Sequence, residues 1–352
     1  MRWCDRVALA VSLSVLLALV FRVAGPGSLT LPSRQPRPQQ AATTVVREGE
    51  NAKEDEKAIA TADSMAATPP EAAPEAQQLV SVKEEAYLAI CVEVRDDIDI
   101  FEWILYHVEH GVQKILVYDH GSTPPFRSLL QRWIDQNIVE YKYVTYPLSH
   151  IFGGDPQAKI YGECLEEGKK GRFHWMAFLE SDEYLVSPQT THPAASTGPS
   201  SSSFPFHDVL REFEAYPGIL LARKLVSSSG HIRRPATPVT RTYTQCVGDR
   251  RFRASIVQPR LTKRVSQGNA DYFVHLGGRK PVDENLIFVT APLTSPPEAT
   301  FRKVWVHQYI GSKEDYKRKV RAYRGILSMD TFFSVDIAAT SQCPQLTCQT
   351  CL

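Results

Sequence analysis

Apolar residues in this chain come in short runs separated by polar turns, and the spacing inside the runs switches between two periods. Residues 87–94, YLAICVEV, are apolar on both parities and predict a strand buried on both faces. Over 97–110 the apolar positions Phe101, Ile104, Leu105 and Val108 recur three and four apart, a helical stripe that Gly111 ends. Residues 114–118 predict a second strand, running into Asp119 and the turn GSTPP. A short helix over 127–136, a third strand over 138–146 and a helix over 157–168 follow, and then FHWMAFL at 173–179 predicts a fourth buried strand. Strict alternation of strand and helix predicts an α/β fold with a mostly parallel central sheet and helices on both faces. Ligands of such sheets sit beyond the carboxyl ends of the strands. Three of those ends are polar: Arg95, Asp96 and Asp97 after the first, Asp119 and His120 after the second, and Glu180, Ser181 and Asp182 after the fourth.

Further on, 206–216 predict a helix and 218–221 a strand, and VSSSGHIRRP is irregular because Ser, Gly and Pro favour turns. VWVHQY at 304–309 predicts a strand, and 312–324 a helix with Ser312 at its N-cap and acids in its first turn. Residues 189–205, rich in Ser, Thr and Pro, predict a surface insertion. Ahead of all this, 7–21 form an apolar run flanked by Arg2, Arg6 and Arg22. No small-residue cleavage site follows it, so it reads as an uncleaved signal anchor. The flanking positive charge places the N-terminus in the cytoplasm and the rest in a lumen, a single-pass type II arrangement with the Golgi as the expected compartment. Residues 25–80 are dominated by Pro, Ala, Gln, Thr and Glu and predict a disordered stem. The expected organisation is therefore a cytoplasmic tip and anchor over 1–24, the stem over 25–80, a folded domain over 81–328 and a cysteine-bearing tail over 329–352.

With 352 residues and a formal charge of +1, no global attraction to nucleic acid or acidic lipid is implied. Residues 223–264 are locally basic, eleven Lys or Arg against Asp249, which suits a solvated face, a diphosphate or an anionic acceptor. No groove-reading or stacking module accompanies these charges, so nucleic acid is not an expected partner. Seven cysteines are too sparse for a disulfide scaffold, and the spacing of Cys91, Cys164 and Cys246 fits no zinc pattern. The C-terminal Cys343, Cys348 and Cys351 could bind a metal, but in an oxidising lumen one disulfide with one thiol left over is the expectation.

The sharpest switch in the chain is where the fourth strand ends at Glu180, Ser181, Asp182 and Glu183. Positions two apart on a strand share a face, so Glu180 and Asp182 project together while Glu183 points elsewhere. Paired carboxylates of this kind suit a hard cation, Mn²⁺ or Mg²⁺, that bridges to substrate phosphates. They are also the tools of a glycoside hydrolase. A solvated acidic turn is the plainer explanation of the same residues.

Several blocks, in order, resemble glycosyltransferase family 92. CVEVRDD followed by FEWILYHVEHGVQKILVYDHGS is similar to the family's opening block, and Gln157 and Cys164 fall where it has a Gln and a Cys. HWMAFLESDEYL is similar to its Trp strand ending in Asp-x-Asp-Glu, SSSGHIRRP to its Ser-Ser-Gly-His segment, and VHQYIGSKEDYKRKVRAYRG to its closing block. Two positions depart from the pattern: Glu180 stands for the first Asp of the metal motif, and Asp96 stands where the opening block has an Asn.

The resemblance implies a GT-A, Rossmann-like fold and a metal-dependent inverting transfer of a sugar onto a glycan acceptor, galactose from its uridine diphosphate donor being the best-known case. It implies Asp182 as metal ligand, Glu180 as metal or ribose partner and His307 as a second-side metal ligand. Arg95, Asp96 and Asp119 would lie near the nucleoside, and Ser229, Gly230, His231, Arg234 and His275 along the sugar or acceptor pocket. An inverting displacement needs a base within reach of the acceptor hydroxyl. Glu183, beside the metal motif, is the first candidate, with Asp283 and Glu284 behind it. A luminal sugar-binding protein without catalysis is the non-enzymatic alternative.

Overall fold

A computed structural model of the protein describes residues 85–147, 155–191, 204–267, 269–289, 300–322, 327–348 and 351. The expected anchor and stem, and most of the expected insertion, lie outside the described residues. Among the described residues no helix is long and apolar enough to cross a membrane.

In chain order the elements are β1 (Ala86–Val94), α1 (Ile100–Glu109), β2 (Lys114–His120), α2 (Arg127–Asp135), β3 (Val139–Val144), α3 (Pro156–Glu167), β4 (Phe173–Glu180), β5 (Glu183–Val186), α4 (Pro188–Thr191), α5 (Pro205–Arg211) and β6 (Gly218–Val226). They continue with α6 (Val239–Thr242), β7 (Gln245–Val257), β8 (Thr262–Ser266), β9 (Asn269–His275), β10 (Trp305–Tyr309), α7 (Lys313–Ala322), α8 (Met329–Ala338) and β11 (Ser341–Gln342). One sheet runs β3-β2-β1-β4-β7-β6-β10-β5, with β11 added to β7. The first four of these strands are parallel, as the alternating pattern predicts. Beyond β4 the pairing changes: β7 is antiparallel to both β4 and β6, and β5 is antiparallel to β10. The sheet is therefore mixed, and the expectation of a mostly parallel one is corrected. The cause is β7, a long strand inside the basic segment, where charges hide the apolar alternation that would reveal it.

Both faces of the sheet are buried. Leu88, Ile90 and Val92 of β1 and Trp175, Ala177 and Leu179 of β4 pack with Trp103 and Tyr106 of α1 and Phe206 of α5. Ala89, Cys91, Met176 and Phe178, of the other parity, pack with Ile160, Tyr161 and Leu165 of α3 and with Phe273 of β9. The second face is thus covered by a helix and a two-stranded ribbon, β8–β9, rather than by helices alone.

Short β5 pairs with β10 along one edge. Its other edge is served by side chains of α1: Trp103 Nε1 donates to Glu183 O at 2.6 Å, Tyr106 Oη donates to Leu185 O at 2.8 Å, and Leu185 N donates to His107 Nε2 at 3.2 Å. A buried backbone group without a partner costs free energy, and a helix that carries three such side chains on one face removes that cost at three groups. The bond from Nδ1–H of His107 to Trp103 O, at 2.8 Å, fixes the neutral tautomer that accepts from Leu185. Burial depresses this imidazole to a pKa of about 3. The consequence is positional: α1 clamps the strand that begins immediately after Asp182.

The cysteine expectation is also corrected. Cys91 pairs with Cys164, tying β1 to α3; Cys246 pairs with Cys343, tying β7 to the residue after β11; and Cys348 pairs with Cys351. Spacing along the chain does not reveal this, because two of the three bridges join residues more than seventy positions apart. The described part of the tail packs on the domain. Helix α8 places Phe332 and Val335 against Ile310 and Tyr316, and Asp336 accepts from Ser228 N at 2.9 Å and Ser228 Oγ at 2.8 Å.

Candidate active site

Beyond the carboxyl ends of β1 and β4 lies a cavity of about 290 Å³. The parallel register sets Glu93 beside Glu180, so the strand ends deliver their polar residues at one level. Arg95, Asp96, Asp97 and Asp99 line one wall, Asp155 and Gln157 at the start of α3 another, and Arg234, Asp315, Arg318 and Lys319 a third, with Glu180, Ser181 and Asp182 at the junction. Asp155 caps α3 by accepting from Gln157 N at 3.0 Å, which turns Gln157 toward Glu180.

The two acids singled out from sequence do meet, although Asp182 sits in the turn after β4 rather than on the strand. What brings them together is Gln308. Its Nε2 donates to Glu180 Oε2 at 3.0 Å and to Asp182 Oδ1 at 3.1 Å, while its Oε1 accepts from Arg223. The other oxygen of Asp182 accepts from Lys319 Nζ at 2.8 Å. Burial, and then the nearby charges of Asp182 and Asp271, push the Glu180 carboxyl up to about 7. Burial also raises Asp97, whose Oδ2 accepts from Ser181 Oγ at 2.7 Å. Burial works against the Lys319 ammonium, but the charges of Asp182 and Asp97 outweigh it and hold the group charged.

A divalent cation on this pair would need free carboxylate lone pairs. As arranged, Oδ1 of Asp182 and Oε2 of Glu180 each accept from the Gln308 amide, Oε1 of Glu180 faces Gln157 Nε2 at 3.5 Å, and Oδ2 of Asp182 carries the Lys319 ammonium, whose charge a second cation would have to displace. Among the described residues no three His, Cys, Asp or Glu side chains converge as a metal set. The residues present do not fit the expected Mn²⁺ or Mg²⁺ unless Lys319 moves.

His307 is placed elsewhere. It neighbours Gln308 on β10, and alternation turns the two side chains to opposite faces. Its imidazole lies fully buried near Trp305 and Tyr309, with neither ring nitrogen hydrogen-bonded, and burial lowers its pKa to about 3. The resemblance pointed to the right strand and to the residue next to the one that faces the acids.

Of the remaining candidates, Arg95, Asp96 and Arg234 line the cavity. Asp96 adopts φ 49°, a conformation short polar side chains tolerate, and accepts from Thr123 N at 2.9 Å. Arg234 forms a forked pair with Asp99 and lies 3.5 Å from Asp315. Asp119, by contrast, is buried, and its carboxylate ties up its own loop by accepting from Ser122 N, Phe126 N and Tyr141 Oη. Ser229 accepts from Thr244 N and Gln245 N, and it and Gly230 take positive φ to shape the turn; with His231 they lie off the cavity lining. His275 is buried beside Thr262, 3.1 Å from its Oγ1.

The three base candidates fare no better. Glu183 is 1% exposed, beneath the cavity, with Oε2 accepting from Glu180 N at 3.0 Å, and burial raises its pKa well above the usual carboxylate range. Asp283 holds a turn by accepting from Asn285 N and Ile287 N, both at 2.9 Å. Glu284 accepts four bonds, from Thr300 Oγ1 and from the backbone N–H groups of Phe301, Arg302 and Lys303. None of the three lines the cavity. Residues the sequence reading passed over are Gln308, Lys319, Asp99 and Asp315. Only the i, i+4 pairing of Asp315 with Lys319 on a predicted helix gave a signal, and it reads equally as a solvated face.

Residues 87–227 match the model of glycosyltransferase family 92. A glycosyltransferase family 92 protein of Oryza sativa subsp. japonica is 24% identical over 176 residues, which is 49% of this chain and 27% of the relative. This chain thus spans about a quarter of the length of that curated relative. Two solved structures of S. aureus TarS 1-349, the second in complex with UDP, overlay with TM-scores of 0.32 and 0.33 at 11% and 10% identity, each covering 71% of this chain and 69% of its own. Overlays that loose say nothing further of this chain. The family match takes in Trp103, Tyr106 and His107, the acids after β4 and Arg95, and stops before β10 and α7. Over residues 87–227, then, the chain is similar to glycosyltransferase family 92.

Proposed function

We propose that the protein is a glycosyltransferase that binds a nucleoside diphosphate sugar in the cavity beyond β1 and β4 and transfers the sugar, with inversion, to a glycan hydroxyl. UDP-galactose is the first donor to test. The observation that carries this reading is the convergence, inside and beside the family segment, of the Glu180–Asp182 pair with Arg95, Arg234 and Lys319 around one cavity. The GT-A form expected from the resemblance accords with the four parallel strands and with the cavity at their carboxyl ends.

In the displacement the acceptor oxygen bonds to the anomeric carbon while the bond from that carbon to the diphosphate oxygen breaks. The bonding pair leaves with the diphosphate, and the acceptor proton passes to a carboxylate lining the cavity. Positive groups fixed where the leaving charge grows lower the barrier without reorganising. Glu183, Asp283 and Glu284 lie off the cavity lining, so the proposed acceptor is sought among the carboxylates on it.

Three disulfides support residence in an oxidising compartment, and with it the proposed luminal side of a type II anchor over 1–24. The reading is tested by a donor screen that measures release of nucleoside diphosphate from a panel of sugar nucleotides, in parent and Asp182→Asn. One donor should turn over, and the variant, in which the charged tether that positions the Lys319 ammonium is lost, should fall about tenfold or more in kcat/KM, the scale of one charge-assisted bond. Equal rates in parent and variant would overturn the assignment.

A further inference from the structure

We propose that Lys319 is a tethered cation that takes the place of a divalent metal, so that the donor diphosphate is bound without one. This deepens the glycosyltransferase reading and rests on it. Three observations lead here. First, Lys319 Nζ lies 2.8 Å from Asp182 Oδ2, so a fixed positive charge already sits on this acid. Second, one oxygen of each acid is held by the same neutral amide, Gln308, which donates to Glu180 Oε2 and Asp182 Oδ1. The amide is itself anchored by Arg223, so the pair is fixed without an ion between its members. Third, Arg95 lines the same cavity with its Nε buried and without a hydrogen-bond partner. A buried donor left unmade is costly and marks a place where an acceptor oxygen belongs.

Lys319 suits the task better than a surface lysine would. Helix α7 puts it one turn after Asp315, whose carboxylate is fixed by Ser312 Oγ at 2.7 Å and by Arg318 at 3.2 Å. The ammonium therefore emerges from a braced turn and faces Asp182 from the third wall of the cavity. An ammonium has three donors. Asp182 uses one, and two remain for phosphoryl oxygens. As the sugar–diphosphate bond breaks, the growing negative charge meets a cation that is already in place, with Arg95 and Arg318 on the same lining. The reaction balances as before, because the lysine neither gives nor takes a proton. It supplies fixed charge.

The test uses uridine diphosphate as the probe and the full chain as the protein. Calorimetric binding is measured in EDTA and in excess Mn²⁺ for the parent, Lys319→Met and Lys319→Arg, and Mn²⁺ binding without nucleotide is followed by electron paramagnetic resonance. For the parent we expect the two affinities to agree within about threefold and no tight Mn²⁺ site. Lys319→Met should lose about tenfold or more in affinity in EDTA, the scale of one charge-assisted bond. It should also gain Mn²⁺ binding as Asp182 is freed, while Lys319→Arg keeps metal-free binding. A parent that binds the nucleotide only with Mn²⁺ would overturn the proposal and leave the glycosyltransferase reading standing. A parent that binds it under neither condition would remove both. Should Lys319→Met fail to fold, the parent in EDTA and the arginine variant still decide.

Discussion

Gln308→Leu is the substitution on which the geometry of the site makes its strongest demand. The side chain donates to two carboxylates and accepts from a guanidinium, and leucine fills a similar volume while offering none of the three bonds. Hydrogen bonds to charged partners contribute about 1.5–3 kcal/mol each when buried. Glu180 and Asp182 open onto a cavity that water can enter, so solvent replaces part of the loss and a net cost of about 2–3 kcal/mol is expected. For a folded unit of this size that is a drop of about 4–10 °C in Tm. Without the bridge the two acids repel, the turn at Ser181–Asp182 loosens, and nucleotide affinity falls as well. Differential scanning calorimetry and UDP titration on one preparation check both parts. A variant that melts within about 1 °C of the parent and binds UDP equally well would refute the account of Gln308 as the group that organises the pair.

Two further outcomes follow from buried histidines. His307→Leu removes two ring nitrogens that have no partner, so stability should hold or rise by about 1 kcal/mol and UDP affinity should not change. A loss of Mn²⁺-supported affinity in that variant would restore His307 as a ligand. His107 and His275 are depressed to about 3 and about 4, in both cases chiefly by burial, so they are neutral when folded and protonate near 6.5 when unfolded. Their stabilising contribution is complete above pH 6.5 and drains away as pH falls toward those folded values, each at about 1.4 kcal/mol per pH unit. Urea midpoints between pH 7 and 4.5 should fall, and His275→Gln should flatten the decline; an unchanged slope would show that His275 does not resist protonation.

The parallel half of the sheet was legible because β1, β2 and β4 are apolar on both parities and because β1, β2 and β3 are each followed by a helix. The antiparallel half was not. Strand β7 carries the arginines that read as a basic surface, β8 is short and largely polar, and in β9 Asn269, Asp271 and His275 interrupt the apolar residues. At the site, Glu180 and Asp182 stood out because a hydrophobic strand stopped on them. Gln308 and Lys319 arrive from more than 120 residues further along, and nothing local to a glutamine on a strand or a lysine on a charged helix says which neighbour it will meet. His307 attracted attention through its chemistry, whereas the strand's parity awarded the site to the amide beside it. Glu284 shows the converse error: an acid beside another acid suggested catalysis, while its carboxylate was committed to a run of backbone donors.

The Cys246–Cys343 bridge has a consequence for how the protein is made. The two sulfurs are 97 residues apart, so in the luminal placement proposed above Cys246 would wait in an oxidising compartment while the ribosome delivers the strands and helices, and then β11, that bring its partner. Over that interval Cys91 and Cys164 are the thiols already at hand, and a swap among the three would staple β7 to the wrong edge. Yield should therefore depend on a disulfide isomerase, and a recombinant fragment stopped at residue 328 would leave Cys246 permanently unmatched.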